Sequence, residues 1–357
     1  MGLFRMESTM EQYTLTKLPE SVTHVFIDSD SIAYKGACVV EKAKYKYVNK
    51  ITAEESEPFD SAKLAAQWLA DQRVLTEELG LDFDENEWER QTWKEAKSEA
   101  EAIMATQQVL QEWLKVVGKE RKWMGYLTEK GVHKHKDIKG LEHQYQGNRK
   151  EAVTPTHLVA CREYLLSRPE FKLLRGGFEA DSIVIAKAEK MGKKAALMSI
   201  DKDLRQAEGT YCIDMTYEKA PLIFIADNNV GEIWDCPIKS KPKAKKTVGV
   251  GFKFLCYQAV AGDNADNYFG LKGAGKVAVM NALEGKTTYK ECLDAIYELY
   301  AKKDSYTYVS WDGETVTRTP LELMEQHFFL AYQERNKSDD FSFEKYGWTP
   351  NVDSADT

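Results

Sequence analysis

The sequence of 357 residues lacks any apolar run close to the roughly 20 residues that a membrane-spanning helix needs. Its first stretch, MGLFRMEST, lacks the apolar core of a secretion signal. The six cysteines stand apart and form no CxxC pair, which argues against a zinc site and against a disulfide framework. We therefore expect reduced thiols, a cytoplasmic location and no membrane contact.

The chain also lacks an excess of positive charge, since its formal net charge is −8. This value alone argues weakly against nucleic acid as a partner, but the local distribution matters more. Residues 119–150 contain nine Lys or Arg against four Asp or Glu, and residues 239–246 contain five lysines and no acid. An acidic chain of this kind can still present a basic channel, although a lysine run such as 239–246 is more often a solvated linker.

Three of the six histidines, at positions 133, 135 and 143, lie in this first basic segment. They lack the helical i,i+4 spacing and the acidic neighbour of a zinc-binding pair. Phosphate contacts or an ordinary surface position explain them better than a metal site.

Short buried-strand patterns alternate with helical patterns along the chain, which predicts an α/β fold with a largely parallel sheet. Apolar residues at helical spacing over 60–117 predict two or three helices. Residues 239–246 read as a linker, and the C-terminal part reads as a hairpin around Asp312 and Gly313 followed by a helix. The predicted strands lie within Thr23–Asp30, Lys122–Leu127, Phe171–Leu174, Lys194–Ile200, Tyr211–Met215 and Pro221–Ala226.

Acidic residues follow the predicted strands repeatedly. The carboxyl ends of parallel strands meet at one edge of a sheet, where ligands bind. Carboxylates that converge there repel one another unless cations neutralise them, so the pattern favours a site for hard divalent cations. The alternative for any single residue is a helix N-cap, above all for Asp181, Asp203 and Asp30. The acids are Asp28, Asp30, Glu129, Glu179, Asp181, Asp201 and Asp203, and the later Asp263 and Asp266 add to them.

Glycines punctuate the segment that follows Asp266, in the sequence GLKGAGK from Gly270 to Lys276. Glycines at the start of a helix let backbone N–H groups approach a phosphate closely. An ordinary tight turn is the alternative for these three glycines. Their position between the acids and Lys276 favours a phosphate contact.

Three blocks occur in order along the chain: FEADSIVIA, SIDKDLRQ and GDNADNYFGLKGAGK. Together they resemble the 5′-nuclease superfamily of flap endonucleases and 5′→3′ exonucleases, and within it the stand-alone phage exonucleases. The resemblance covers about Val22 to Leu283, interrupted by an insert at 40–118. It implies a PIN-like, mostly parallel sheet flanked by helices, a helix-three-turn-helix DNA-binding module and a mechanism with two Mg²⁺ or Mn²⁺ ions.

The resemblance also implies roles for individual residues. Asp28, Glu129 and Glu179 would serve the first ion, Asp181 would bridge, and Asp201, Asp203 and Asp263 would serve the second, with Asp266 acting through water. Gln146 stands where the family commonly has a catalytic-site lysine, and Lys130, Arg149 or Lys150 would compensate. The implied DNA-binding residues, with K⁺ as a further ion at the glycine turn, are Tyr145, Asn148, Arg149, Gly270, Gly273, Gly275 and Lys276.

The resulting hypothesis is a divalent-metal-dependent 5′→3′ exonuclease with flap endonuclease capability, active in the bacterial cytoplasm in phage DNA replication or recombination. Its substrates would be duplex, nicked, gapped or flapped DNA, and also RNA–DNA hybrids. A non-catalytic DNA-binding or scaffolding homologue and a PIN-type ribonuclease are the alternatives. The expected divisions are a polar extension (1–20), a catalytic domain (21–245) with an arch-like segment (129–155), the DNA-binding module (246–300) and a C-terminal part (301–357).

Overall fold

A computed structural model describes residues 12–131, 136, 138–149, 154–177, 179–217, 221–227, 230–238, 241–336 and 339–349. Within this part of the chain, the side chains of 149, 217, 237, 238 and 241–245 are not described. The chain forms two compact units. The first unit comprises Met1–Ser31, Glu112–Val153 and Leu166–Thr357, and the second comprises Ile32–Gln111 and Thr154–Leu165.

The strands are numbered in chain order as β1 Thr14–Leu15, β2 His24–Asp28, β3 Glu41–Asn49, β4 Trp88–Ala96, β5 Lys122–Thr128, β6 Phe171–Leu174, β7 Ala195–Ser199, β8 Tyr211–Asp214, β9 Leu222–Ile225, β10 Glu232–Ile238, β11 Lys241–Val250, β12 Gly262–Asp263, β13 Tyr268–Phe269, β14 Tyr306–Val309 and β15 Thr315–Arg318. The helices are α1 Asp30–Val39, α2 Ala62–Glu78, α3 Glu99–Val117, α4 Leu158–Leu166, α5 Ala180–Met191, α6 Gly251–Ala261, α7 Lys276–Leu283, α8 Tyr289–Tyr300 and α9 Pro320–Ala331.

A seven-stranded sheet with the order β1-β9-β8-β7-β2-β5-β6 forms the centre of the first unit. The five strands from β8 to β6 are parallel, whereas β9 at the other side of β8 runs antiparallel to both of its neighbours, β8 and the edge strand β1. From β2 the chain proceeds to β5 and β6 on one side and then returns to β7 and β8 on the other. The carboxyl ends of β2 and β7 therefore flank the switch point, which is where open α/β sheets bind their ligands.

Apolar runs explain why the central strands lie inside. In β7, AALMS, all five residues are buried, as expected for a parallel strand covered on both faces. Helix α5 buries Val184, Ile185 and Ala188 in the same core cluster as Phe26 of β2 and Leu197 of β7. The packing of this core fixes where the carboxyl end of each strand lies, and it thereby positions the acids that follow the strands.

A second core of the first unit is built by helices α6 to α9. Helices α8 and α9 begin with reciprocal capping boxes, Thr288 with Glu291 and Thr319 with Glu322, and Pro320 is the first residue of α9. The buried Trp348 packs in the same cluster. The predicted C-terminal hairpin is present as the pair β14 and β15.

The second unit contains an antiparallel ribbon of β3 and β4, with helix α2 beside it. Trp68 of α2 stacks on Tyr47 of β3, meets Trp88 of β4 edge to face, and packs against Phe59. Helices were the expectation for this region, and the strand pair is an addition. Its sequence, EKAKYKYVN, alternates lysines with other residues and lacks the apolar run that signals a buried strand.

Two further features differ from the expectations. Within the lysine-rich stretch that reads as a linker, residues 241–246 belong to strand β11, which pairs with β10. Thr14 and Leu15, in the expected polar extension, form the edge strand β1 beside β9. The α/β class with a large, mostly parallel sheet flanked by helices is confirmed. None of the helices within the described residues is long and apolar enough to cross a bilayer.

Candidate metal centre

Asp28 is the last residue of β2, at the switch point of the sheet. Its Oδ2 atom accepts a hydrogen bond of 2.8 Å from Ser199 Oγ at the end of β7, and its Oδ1 atom accepts one of 3.3 Å from the Asp30 N–H. Asp30 in turn accepts a hydrogen bond from the Thr128 N–H through Oδ2. Asp28 is thus held between two neighbouring strands, and Asp30 supports the loop beside it.

Asp201 and Asp203 lie in the turn that follows β7. The Asp201 N–H donates to Ser199 Oγ, and the Asp201 carboxylate accepts a hydrogen bond of 2.9 Å from the Asp203 N–H. Asp201 therefore does cap the short helical turn Lys202–Gln206. One oxygen of a carboxylate suffices for a cap, so the other remains available to a cation.

Asp263 and Asp266 lie on the loop between helix α6 and the glycine turn, and both are buried. With Asp203 they offer three carboxylate oxygens within 4.8 Å of one another. Three oxygen donors at this spacing fit a hard divalent cation, for which carboxylate is the preferred protein ligand. The residues come from two segments sixty positions apart, which the packing of α6 against the turn after β7 brings together.

The electrostatics of these acids show a surplus of negative charge. Burial, with the nearby Asp30, raises the pKa of Asp28 to about 7. Partial removal of the Asp201 carboxylate from water, together with the charge of Asp203, raises its pKa above the ordinary value, although the residue as a whole is exposed. Burial and the charges of Glu179 and Asp28 raise the pKa of Asp181 well above its ordinary value. A bound cation removes this penalty, since it favours the ionised form of each acid.

Glu179 and Asp181 flank the start of helix α5. Glu179 is the N-cap residue of α5, and its charge raises the pKa of both Asp28 and Asp181. Asp181 Oδ1 accepts a hydrogen bond of 2.7 Å from the Ser182 N–H. We call the seven acids that these interactions connect the carboxylate cluster; its members are Asp28, Glu179, Asp181, Asp201, Asp203, Asp263 and Asp266.

Glu129, expected as a ligand of the first ion, follows β5 at the same edge of the sheet. Its Oε2 atom accepts a hydrogen bond of 2.9 Å from the Gly176 N–H, so the side chain is turned toward the loop after β6. Among the interactions described, Glu129 has no recorded contact with the carboxylate cluster. Its assignment to the first ion stays a prediction.

Gln146 and its neighbours are attached to the loop that carries Asp266. Gln146 Nε2 donates to Asp266 Oδ1 at 2.7 Å, and the Gln146 N–H donates to the Asp266 carbonyl at 2.8 Å. Asn148 Nδ2 donates to the Asn264 carbonyl at 2.9 Å, and Asn267 Nδ2 donates to that of Gln144, also at 2.9 Å. The residue that stands in place of the expected lysine therefore orients a member of the carboxylate cluster.

Two glutamines that sequence reasoning missed support the cluster from the opposite side. Gln258 of α6 donates a short hydrogen bond through Nε2 to Asp203 Oδ1, and Gln206 Nε2 donates to Gln258 Oε1. Both glutamines are buried. The available signal was Gln258, a second polar residue after Lys253 within the mostly apolar run of α6, FKFLCYQAVA.

Lys202 is the second feature that sequence reasoning missed. Its ammonium lies 3.2 Å from Asp203 Oδ1 and also makes an ion pair with Asp263 Oδ2. Partial removal from water lowers the pKa of Lys202, but the carboxylates around it, Asp203 first, raise it above its ordinary value overall. The available signal was its position between two predicted metal ligands, Asp201 and Asp203.

The predicted DNA-binding glycines lie at and just before the start of helix α7. Gly275 is the N-cap residue of α7, and Gly273 has a positive φ of 88°. A Cβ atom on Gly270 would lie 2.0 Å from the Val260 carbonyl oxygen, so close packing alone already requires glycine there. Lys276 makes an ion pair of 2.6 Å with Asp235 of β10.

The other predicted residues complete the account. Tyr145 lies beside the carboxylate cluster: burial, followed by the charges of Asp266 and Glu179, raises the pKa of its phenol well above its ordinary value. Lys130 is exposed. Lys150, His133 and His135 lie outside the described residues, as does the side chain of Arg149, and the ring of His143 packs against Phe269 at 4.4 Å.

Fold and site together define an α/β protein with a carboxylate cluster at the switch point of its sheet. The chain matches no protein-family profile and no curated protein sequence. Among solved structures it is similar to the T5 D15 protein co-crystallised with metal ions, with a TM-score of 0.40 and 12% identity over 87% of this chain and 88% of that one. At this identity the likeness concerns the fold alone, and the function proposed next rests on the chain's own side chains.

Proposed function

We propose that this protein is a divalent-metal-dependent 5′→3′ exonuclease with structure-specific flap endonuclease capability. One observation carries the proposal: Asp203, Asp263 and Asp266 offer three carboxylate oxygens within 4.8 Å, next to further acids with raised pKa values. The order of the motif blocks along the sequence supports the substrate class, which is duplex, nicked, gapped or flapped DNA and RNA–DNA hybrids.

The carboxylate cluster fits two Mg²⁺ or Mn²⁺ ions by its donor chemistry. The proposed ligands of the first ion are Asp28, Glu179 and Glu129, and those of the second are Asp203, Asp263 and Asp266, with Asp181 and Asp201 between the two groups. When bound, such ions activate water for attack on the phosphodiester and stabilise the leaving oxygen.

The chain's own residues position these ligands. Ser199 orients Asp28, Gln258 orients Asp203 and Gln146 orients Asp266, each through the hydrogen bonds given above. Replacing a residue that orients a metal ligand typically costs about 10- to 100-fold in metal affinity or activity. Gln146 therefore acts as a positioning residue in this proposal, and the cationic role expected at its position falls to Lys130, Arg149 or Lys150.

The glycine turn and the residues before it would bind the nucleic-acid backbone. Gly273, Gly275 and the N-terminus of α7 present backbone N–H groups suited to a phosphate, and Lys276 would exchange its ion pair with Asp235 for a phosphate contact. Backbone carbonyls of the same turn are the proposed site of a K⁺ ion. Tyr145 and Asn148 would line the path of the strand toward the cluster.

The test compares cleavage by the wild type and Asp203→Asn. Labelled duplex, 5′-flap, single-stranded RNA and RNA–DNA hybrid substrates are incubated with Mg²⁺ or with a chelator, and Asp82→Asn, an exposed acid of the second unit, is the matched control. We expect 5′ products from duplex and flap substrates that are lost on chelation and in Asp203→Asn but kept in Asp82→Asn. Cleavage that persists both in chelator and in Asp203→Asn would refute the proposal. Products from single-stranded RNA alone would favour a ribonuclease. Binding of DNA without cleavage would favour a scaffolding protein.

A further inference from the structure

Lys202 brings a positive charge into the part of the carboxylate cluster best suited to hold an ion. The two carboxylates that its ammonium contacts, Asp203 and Asp263, are two of the three that lie within 4.8 Å of one another. Only about a third of the Lys202 side chain is exposed, and 8% of that of Asp263. The ion pair of Lys202 with Asp263 is therefore largely enclosed by the protein and differs from a fully exposed surface ion pair.

The position of this ammonium follows from the local chain. Lys202 is the first residue of the short helical turn that Asp201 caps, so its backbone is fixed by the same hydrogen bond that places Asp203. Asp263 is held from the other side, since its Oδ1 atom accepts a hydrogen bond from the Ala265 N–H. Its Oδ2 atom is the one that contacts Lys202.

An ammonium and a divalent cation cannot share these oxygens without strong repulsion. Charges of +1 and +2 a few ångströms apart repel each other considerably even in a well-solvated site, and more in a buried one. Lysine, unlike a metal, is a single charge on a flexible stem with four carbons, so its ammonium can swing away when a stronger cation arrives.

We propose that Lys202 is the resident counter-ion of the Asp203–Asp263–Asp266 site, and that a divalent cation binds there by displacing the Lys202 ammonium. Lys202 then has two effects of opposite sign: it stabilises the ion-free protein and it lowers the affinity of the site for the ion. The lysine thereby sets the concentration of Mg²⁺ or Mn²⁺ at which this site fills. The inference rests on metal binding in the proposed function and does not depend on cleavage.

The test uses the full chain, with Lys202→Met, which keeps the length of the side chain but removes its charge, and Lys202→Arg, which keeps the charge. Lys193→Met is the control, because Lys193 makes an ion pair of 2.9 Å with Asp227, outside the cluster. Binding of Mn²⁺ and Mg²⁺ is measured by calorimetry without nucleic acid. Thermal unfolding is recorded in chelator and in saturating Mg²⁺.

For Lys202→Met we expect the affinity of the Asp203–Asp263–Asp266 site for Mn²⁺ and Mg²⁺ to be about tenfold or more above that of the wild type. The reason is that the ion no longer has to displace a positive charge. Its melting temperature falls below that of the wild type in chelator and recovers fully in Mg²⁺. Lys202→Arg retains an affinity no higher than that of the wild type, and Lys193→Met changes the affinity less than twofold.

Equal or weaker ion affinity in Lys202→Met would overturn the inference, and so would a fall in melting temperature of the same size with and without Mg²⁺. The absence of divalent-cation binding in both wild type and Lys202→Met would overturn it as well. Tighter ion binding in Lys202→Met by a protein that cleaves nothing would support the inference while refuting the nuclease function.

Discussion

The carboxylate cluster and the acidic surface formed by residues 71–89 of the second unit carry charge of the same sign in opposite surroundings. The acidic surface contains eight acids against Arg73, a net charge of −8 + 1 = −7, and seven of the eight acids are exposed. In the cluster, by contrast, Asp28, Asp263 and Asp266 are buried, and removal from water, followed by the charges of neighbouring acids, raises the pKa values of several members.

The difference shows that the number of acids does not make a metal site. The solvated acids of the acidic surface are stabilised by water and by local contacts, such as the 3.0 Å pair of Arg73 with Glu77, and such pairs contribute little. In the cluster, burial of Asp28, Asp263 and Asp266 removes much of this stabilisation by water, so a bound cation should have a large effect there.

The largest expected effect is on catalysis. We predict that Asp181→Asn lowers the rate of cleavage by about 10³-fold or more, because a carboxylate between the two groups of ligands is lost from a metal-dependent mechanism. Asp82→Asn on the acidic surface should change the rate less than twofold. Single-turnover cleavage of a labelled 5′-flap duplex in Mg²⁺ measures both, and similar rates for the two variants would break the contrast between the regions.

The next effect concerns stability against pH. The folded pKa of the buried Asp28, about 7, lies above the ordinary value of 3.8, so the folded protein binds more protons than the unfolded chain between these values. In chelator, the free energy of unfolding should therefore decrease as pH rises from about 4 to 7, by roughly 2 to 4 kcal/mol.

Saturating Mg²⁺ should reverse this trend, because ion binding favours the ionised acids. Urea unfolding at a series of pH values, with and without Mg²⁺, measures the effect. Two variants give the matched comparison. Asp28→Asn should reduce the dependence of the free energy of unfolding on pH in chelator, whereas Asp82→Asn should leave it unchanged. A stability in chelator that rises over this range would show that the cluster is not short of positive charge.

A smaller effect is expected from the residue that orients Asp266. Gln146→Leu removes the hydrogen bond of 2.7 Å to Asp266 Oδ1 while keeping the volume of the side chain close to that of glutamine. We predict about tenfold weaker Mn²⁺ binding, the lower end of the range for groups that orient metal ligands. Calorimetry measures the Mn²⁺ affinity, and Gln72→Leu, at a half-buried glutamine of α2, is the control. Equal affinities in the two variants would show that Asp266 does not need the hydrogen bond from Gln146 to bind the ion.

The smallest effect belongs to the acidic surface itself. Replacing Glu78 and Asp82 together by Gln and Asn should change the free energy of unfolding by no more than about 0.5 kcal/mol, since both residues are exposed. Urea unfolding at neutral pH in chelator measures the change. A markedly larger value would mean that the acidic surface is under electrostatic stress like that of the cluster.

The sequence predicted correctly those parts of the fold in which the pattern of apolar residues is strong. The apolar runs of β2, β5 and β7 gave their positions within one or two residues, and the acids after them gave the edge of the sheet where they converge. The motif blocks led to the correct fold class. The strands β3 and β11 were missed, because lysine-rich segments carry no apolar signal even when they pair with a neighbouring strand.

The finer structure of the site depends on contacts between distant segments, which no local pattern reports. Gln146 and Asp266 are 120 positions apart, and Gln258 meets Asp203 across 55 positions. The hydrogen bonding of Glu129 to Gly176 likewise follows from how two loops meet. Sequence reasoning found the acids because their chemistry is distinctive, and it missed the lysine and the glutamines because each is an ordinary residue until its neighbours are known.

The attachment of residues 144–148 to the loop 263–267 has a thermodynamic consequence. Four hydrogen bonds join the two segments, and two of them involve Asp266. Any ligand that fixes one segment therefore shares its binding free energy with the other, and such coupling is reciprocal. If an ion at Asp266 raises the affinity of residues 144–148 for a nucleic-acid strand by some factor, that nucleic-acid strand must raise the affinity for the ion by the same factor.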